Sequence, residues 1–322
     1  MHTTSLVAEL ADLYRVAASV SVDEFPAEVL ARMSRWIEFD GAVFGFGQAR
    51  QHGLRISAAC VHRRDPSLLE EYARVSHADP MTAAFLQRPR APLVVDAQTT
   101  YAHDGHAGLA AMVARHDLRH LMLFGDRSRD QGPLRWVVLY RGTDRPFDAV
   151  AADRLWSVWQ HVSCSLDLNC ALTLDREEAQ RSTRALALVD CFGTVEVADP
   201  AFHALLAREW PQNDGTRLPP AVASAMAAGE RFAGRAIEVS FRHLGPHVLC
   251  RARQREHVSA LTTRERLVAE HYTQGLSHKE VASLLHVSPN TVRTQLASVY
   301  RKLGIRDKAT LARRLMPRIP EG

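Results

Sequence analysis

Cysteine is scarce and unpatterned in this chain of 322 residues: the five copies (Cys60, Cys164, Cys170, Cys191 and Cys250) are odd in number and form no Cys-x-x-Cys pair. That spacing argues against a disulfide framework and against a thiolate metal site, leaving reduced, buried thiols as the expected state. Long apolar runs are missing too. Nothing reaches the roughly 18 residues that a membrane-spanning helix requires, and the opening stretch mixes charged with apolar residues, so no secretory signal is expected. A cytoplasmic protein that spans no membrane follows. Neither a repeat nor a low-complexity tract occurs. Catalytic fingerprints are equally absent: there is no Gly-x-Ser-x-Gly, P-loop, His-Glu-x-x-His or Gly-x-Gly-x-x-Gly, and no Ser, His and Asp set stands out. The chain is therefore expected to be no enzyme and to carry no cofactor.

What is present is an ordinary globular composition, with 46% hydrophobic and 24% charged residues. The length suits two or three domains. Charge is unevenly divided. From Arg251 to Gly322 there are 14 Lys and Arg against 6 Asp and Glu, which leaves 26 against 30 for residues 1–250. A basic end on an acidic remainder suits one region meeting phosphates while another does something else.

Residues 5–20 and 23–37 space Leu6, Leu10, Leu13, Val16 and then Val29, Leu30, Met33, Ile37 at helical intervals. A strand begins after Asp40-Gly41, and its hairpin partner follows the His52-Gly53 turn. Helices are expected at 66–76, 81–87 and 108–115. A Pro-rich loop (Arg88–Pro92) leads to a short strand, and further strands are expected at 119–125 and 134–140, either side of a polar turn. Phe147 to about Arg184 lacks Gly and Pro and repeats Leu155, Val158, Trp159, Val162, Leu166, Cys170 and Leu174, which predicts one long helix. Such a helix suits a connector or a dimer contact. Residues 185–253 read as a smaller unit of strand, turn, strand, helix, short helix and a closing hairpin around Leu244-Gly245-Pro246.

The C-terminal stretch is dense in helix punctuation. Thr262 with Glu265 and Ser277 with Glu280 form two capping boxes. Gly275 and Gly304 stand where helices end, Ser288 precedes Pro289 at a third helix start, and Asp307 caps a fourth. Leu267, Val268, Tyr272, Val281, Leu284, Leu285, Val292, Leu296, Val299, Tyr300 and Leu303 can supply a small core. The third helix keeps a polar face of Asn290, Thr291, Arg293, Thr294, Gln295, Ser298 and Arg301, suited to base edges and phosphates.

Through Leu261-Thr262-x-Arg264-Glu265, Gly275-Leu276-Ser277-x-Lys279-Glu280-x-Ala282, Val287-Ser288-x-x-Thr291-Val292-Arg293 and Tyr300-Arg301-Lys302-Leu303-Gly304-Ile305, the segment resembles the LuxR/FixJ/NarL-type DNA-binding domain. The resemblance implies a four-helix, all-α helix-turn-helix whose third helix enters the major groove of double-stranded DNA. It implies base contacts at Arg293, Thr294 and Ala297, phosphate contact at Lys279, and backbone contact near Thr291 and Arg301. Ser288, Asn290, Gln295, Ser298 and Lys302 complete the expected DNA-binding set. Gln295 and Ala297 depart from residues common in that family, so its sequence preference does not carry over.

Residues 5–183 resemble a GAF domain or the related autoinducer-binding domain of quorum-sensing LuxR proteins, through the Phe39-Asp40-Gly41-Ala42-Val43-Phe44-Gly45-Phe46 strand and the Asp79-Pro80 pair. The aromatic pair those domains carry ahead of Asp-Pro is not matched in spacing, Tyr72 being the only aromatic nearby, which argues against an acyl-homoserine lactone. A receiver domain is disfavoured because the chain opens on helices. The resemblance implies a small-molecule effector, with Trp36, Phe44, Phe46, Tyr72, Asp79, Met81, Phe85 and Trp136 as candidate pocket residues. Asp79 equally suits a helix cap. His103, His106, His116 and His120 would need to converge to hold a metal, and solvated histidines are their ordinary reading. Residues 185–253 resemble a short PAS domain through Val189-Asp190-x-x-Gly193-x-Val195 and Phe202, a unit for relay or dimerisation.

The expected fold class is α+β and multidomain: a mixed α/β GAF-like domain over 1–183, a PAS-like domain over 184–255 and the all-α helix-turn-helix over 256–322. The expected protein is a homodimeric, ligand-gated transcription regulator, against a constitutive regulator whose upstream domains only dimerise or bind a protein.

Overall fold

A computed structural model describes residues 6–50, 53–87, 91–127, 132–142, 144–179, 185–255, 261–305 and 307–315. The loop at 88–90, the turn at 128–131, the expected helix end at 184 and the boundaries at 183/184 and 255/256 involve positions outside the described residues. Two compact units result: Met1–Ala233 with Ile237–Arg253, and Gly234–Ala236 with Gln254–Gly322.

In the first unit, α1 (Leu6–Ser19) and α2 (Phe25–Trp36) lead into the hairpin of β1 (Gly41–Arg50) and β2 (Gly53–His62). Then come α3 (Ser67–Val75), α4 (Pro80–Gln87), β3 (Leu93–Asp96), α5 (Ala97–Thr100), α6 (Ala107–Arg115), β4 (His120–Arg127), β5 (Leu134–Arg141) and α7 (Ala149–Ala179). Among the described residues the first sheet has the order β2-β1-β5-β4-β3, with each neighbouring pair antiparallel. Alternation along its strands divides the interior in two. Phe44, Phe46, Met122, Phe124, Val137 and Leu139 pack against α1, α2 and α7, whereas Val43, Leu121, Leu123, Trp136 and Tyr140 pack against α3 to α6. The central strands are covered on both faces, which is why residues 41–48 of β1 are buried without a break.

All seven apolar positions expected to line the long helix are buried along α7. That helix serves two sheets. Its first half covers the first sheet, while Cys170 and Leu174 meet Leu186, Leu188 and Leu249 of the second. The second sheet comprises β6 (Ala185–Val189), β7 (Val195–Ala198), β8 (Phe232–Ala233), β9 (Ile237–Leu244) and β10 (His247–Gln254), in the order β7-β6-β10-β9-β8, with α8 (Pro200–Ala207) and α9 (Pro220–Ala227) inserted. Asp190 accepts the backbone N–H groups of Phe192 and Thr194, and Gly193 takes φ of 78°, which closes the β6–β7 turn.

A buried polar joint ties the sheets together. Arg135 on β5 donates to Asp167 (2.7 Å) on α7 and to Glu196 (3.0 Å) on β7. His247 Nε2 lies 3.7 Å from the other Glu196 oxygen, and Gln48 of β1 donates to Asp190. Burial opposes the charged form of Glu196, but the Arg135 guanidinium and the contact with His247 hold its carboxyl below the usual range. For His247, burial pulls the imidazole down while the Cys170 sulfur and Glu196 push it up, to about 10. Charges this deep persist only as pairs.

The second unit contains α10 (Thr263–Thr273), α11 (His278–Leu284), α12 (Pro289–Leu303) and α13 (Lys308–Leu315) around Val268, Val281, Val292, Leu296, Val299 and Leu311. Two residues expected in its core are outside it: Leu267 is 40% exposed and Leu284 52%. Each sits on a helix whose neighbours Val268 and Val281 already fill the interior, so the helical turn carries the extra leucine to solvent.

Candidate nucleic-acid interface and ligand cavity

Local chemistry places the helices of the second unit. In both capping boxes the bonds run both ways: Thr262 accepts from the Glu265 backbone while Glu265 accepts from the Thr262 backbone, and Ser277 and Glu280 do the same. Ser288 accepts from Thr291 N–H at 3.0 Å to start α12, Asp307 accepts from Thr310 N–H at 2.8 Å to start α13, and Gly304 closes α12 at φ 63°. Only three residues separate α11 from the Ser288 cap, which sets the short turn of a helix-turn-helix.

Along α12, Asn290, Arg293, Thr294, Ala297 and Arg301 are exposed and recur at helical spacing, forming one solvent-facing stripe. Lys279 on α11 is exposed as well, as is the capping Ser288. Thr291 and Gln295 are half-buried beside that stripe. Ser298 and Lys302 behave differently from the rest of the expected set. Ser298 Oγ and Lys302 Nζ donate to Glu265 at 2.7 and 2.6 Å, tying α12 to the start of α10. The hydrogen bonds from Lys302, the Thr262 backbone and Ser298 hold the Glu265 carboxyl down at about 2. Glu265 is thus a cap and a tertiary anchor together. The capping motif revealed only the first role, because Ser298 and Lys302 lie more than thirty residues away.

Between the first sheet and α3 to α6 lies an internal cavity. Its volume is about 70 Å³. Five of the eight expected pocket residues line it: Tyr72, Asp79, Met81, Phe85 and Trp136. Trp36, Phe44 and Phe46 do not. They belong to the core on the opposite face, where Phe44 stacks on Trp159 at 5.6 Å. For the two phenylalanines the cause is strand parity: Gly45 pairs with Trp136, so residues 44 and 46 point the other way, while Trp36 ends α2 on that same opposite face. Tyr101, Thr82 and Tyr140 line the cavity without having been expected.

Asp79 is 8% exposed and is the polar centre of that wall. One oxygen accepts from Met81 N–H and the Tyr101 hydroxyl, both at 3.0 Å. The other accepts from Thr82 N–H (3.2 Å) and from one of the Tyr72 and Thr82 hydroxyls, which lie 2.8 and 2.6 Å from it and 2.7 Å from each other. The helix-capping role is therefore real, with three hydroxyls added to it. Burial first and the nearby carboxylate second push both tyrosines well above their usual range, so the phenols stay protonated as donors.

The four histidines do not converge. His116 lies 3.5 Å from Glu71, buried His120 sits 3.8 Å from Asp96, and His103 faces His106. Among the described residues no group of three or more His, Cys, Asp or Glu is placed to hold a metal, and no helix is long and apolar enough to cross a membrane.

Short turns, capped helices and an exposed basic stripe define the second unit as a helix-turn-helix domain. Residues 259–315 match the family described as GerE, bacterial regulatory proteins, luxR family. This segment is a LuxR-type helix-turn-helix domain. It is 47% identical over 55 residues to the transcriptional regulatory protein UhpA of Escherichia coli, a match covering 17% of this chain and 28% of that protein. It is 42% identical over 50 residues to the nitrate/nitrite response regulator protein NarP of the same organism, covering 16% and 23%. The matched part is thus about a quarter of those relatives.

Solved structures resemble the chain more loosely. The N-acylhomoserine lactone dependent LuxR-family factor CepR2 of Burkholderia cenocepacia is 19% identical with a TM-score of 0.39, over 49% of this chain and 92% of that one. Escherichia coli SdiA is 11% identical with a TM-score of 0.38, over 96% and 95%. A phycoerythrobilin-bound GAF domain from a cyanobacterial phytochrome is 9% identical with a TM-score of 0.38, over 54% and 100%.

Proposed function

We propose that this protein is a sequence-specific, double-stranded-DNA-binding transcription regulator, gated by a small molecule in the cavity beside Asp79. The observation that carries the DNA role is the exposed stripe of α12 within a LuxR-type domain. Arg293, Thr294 and Ala297 meet base edges, Asn290, Thr291, Gln295 and Arg301 flank them, Ser288 orients the helix start, and Lys279 meets phosphate. Ser298 and Lys302 hold the reading helix in place through Glu265. Domains divided near 183 and 255, a homodimer on two half-sites and a cytoplasmic location complete the reading.

The test uses the full chain and an operator selected from random duplexes. Arg293→Ala costs about 1–3 kcal/mol on the selected site and little on unrelated DNA. Lys279→Ala weakens both and lowers the salt slope by about one. Unchanged operator affinity in both variants removes α12 from the groove. Sedimentation with and without the operator checks the dimer, and a monomer in both states refutes it.

A further inference from the structure

The polar groups of the cavity are not equally available to a ligand. Asp79 is the single charged residue among those lining it, and its two oxygens already receive four donors: two N–H groups, the Tyr101 hydroxyl and one of the Tyr72 and Thr82 hydroxyls, which share a hydrogen bond between themselves. A carboxylate offers about four lone-pair sites, so none remains for an incoming N–H. An ammonium ion would leave water for an apolar chamber with no free acceptor on the carboxylate, and an anion would face a fixed negative charge with no Lys, Arg or His in the lining to offset it.

Among the described residues two lining donors are without a hydrogen bond, the Tyr140 hydroxyl and the Trp136 indole, and of these the indole N–H is the one fully buried. Trp136 is 5% exposed, and its Nε1–H is buried without a hydrogen-bond partner. Orphaned buried N–H groups are rare and call for an explanation. The sheet is built around this indole. Trp136 pairs with Gly45 on one side and Gly125 on the other. A Cβ at Gly45 would lie 2.0 Å from the indole Cζ2, and one at Gly125 would lie 2.3 Å from the Arg135 carbonyl oxygen. Only glycine at position 45 lets the ring lie across β1.

From this asymmetry we infer that the cavity takes a neutral, mainly apolar molecule bearing a hydrogen-bond acceptor such as a carbonyl, and that Trp136 Nε1–H donates to that acceptor while Asp79 serves only to fix the wall. This rests on the reading of the cavity as the effector site. Amines and carboxylic acids of the same skeleton are expected to bind more weakly.

The experiment compares probes sharing one skeleton, 2-hexanone, hexylamine, hexanoate and hexane, added to the full-length protein. Binding is read by thermal shift and by the indole N–H resonances of the ¹⁵N-labelled chain. 2-Hexanone binds most tightly and moves one indole resonance, the one missing from Trp136→Phe. That variant folds and binds the ketone about five- to tenfold more weakly, the worth of one neutral hydrogen bond, with hexane affinity unchanged. Val138→Phe, at a half-buried position in the cavity wall, abolishes binding of both. If hexylamine or hexanoate matches the ketone, or Trp136→Phe leaves the ketone unaffected while Val138→Phe still blocks it, the inference fails and the cavity reading stands. If no probe binds, or Val138→Phe changes nothing, the cavity reading fails and takes the inference with it.

Discussion

Glu265 in the helical unit and Asp79 in the sheet unit are both buried carboxylates supplied with donors by the chain itself, and Asp79 in addition borders a cavity. Glu265 closes a capping box and grips Ser298 and Lys302, so its bonds serve the fold of a small domain. Asp79 caps α4 and also gathers Tyr72, Thr82 and Tyr101 at the wall of a cavity. Similar chemistry thus stabilises a reading head in one region and shapes a chamber in the other. Because all five tryptophans precede residue 254 and none lies in the helical unit, indole fluorescence follows the sheet unit alone. The two regions can therefore be perturbed and read separately.

The largest effect is expected at Asp79. Asp79→Ala removes a helix cap, worth about 1 kcal/mol, and leaves the buried hydroxyls short of acceptors at about 1–3 kcal/mol each. The fluorescence-monitored unfolding free energy should fall by about 3–5 kcal/mol, with DNA affinity at low temperature little changed. A loss below about 1 kcal/mol would mean the hydroxyls find other partners and the wall is not pre-formed. Arg135→Ala comes next. It leaves Glu196 buried with only His247 beside it, for a loss of about 3 kcal/mol on the same probe. Double-mutant analysis with Glu196→Ala should show strong coupling, and additive losses would dissolve the joint between the sheets.

Glu265→Gln is expected to be milder, about 1–2 kcal/mol, and to appear in far-ultraviolet circular dichroism with the fluorescence transition unmoved. Lys302→Ala sharpens the distinction, because a residue held by Glu265 should affect helical stability more than the salt slope of DNA binding. A slope lowered by about one, as for Lys279→Ala, would instead return Lys302 to the phosphate-contacting set.

The same contrast explains what could be read from sequence. In the helical unit the decisive bonds are local: Thr262 with Glu265, Ser277 with Glu280, and Ser288 with Thr291 lie three residues apart, so spacing alone located three helix starts. The anchoring of Ser298 and Lys302 escaped because it depends on how α12 crosses α10. In the sheet unit, strand positions and the apolar side of α7 followed from periodicity, and the α4 cap at Asp79 from the Asp-Pro pair. The cavity did not follow. Phe44 and Phe46 lie on the opposite face because Gly45, between them, is the residue that pairs with Trp136, a register that local sequence does not reveal. Tyr101 was missed because it reaches Asp79 across twenty-two residues, through β3 and α5.

A last difference between the two regions is exposed by titration. His247 binds its proton more tightly in the folded chain than a free imidazole does, with its value raised from 6.5 to about 10. A raised folded value means that the unfolded chain releases the proton first, so this contribution is full below about pH 6.5 and drains away as pH climbs through 10. Glu265 has the opposite sign: lowered from 4.5 to about 2, it stabilises above pH 4.5 and is lost as pH falls through 2. The fluorescence transition should therefore weaken on the alkaline side, and His247→Gln should flatten that slope. The circular dichroism of the helical unit should weaken on the acid side, and Glu265→Gln should flatten it there. An alkaline slope that survives His247→Gln would mean the imidazole is neutral in the folded chain, leaving Arg135 alone to balance Glu196 and the two sheets joined by a single ion pair.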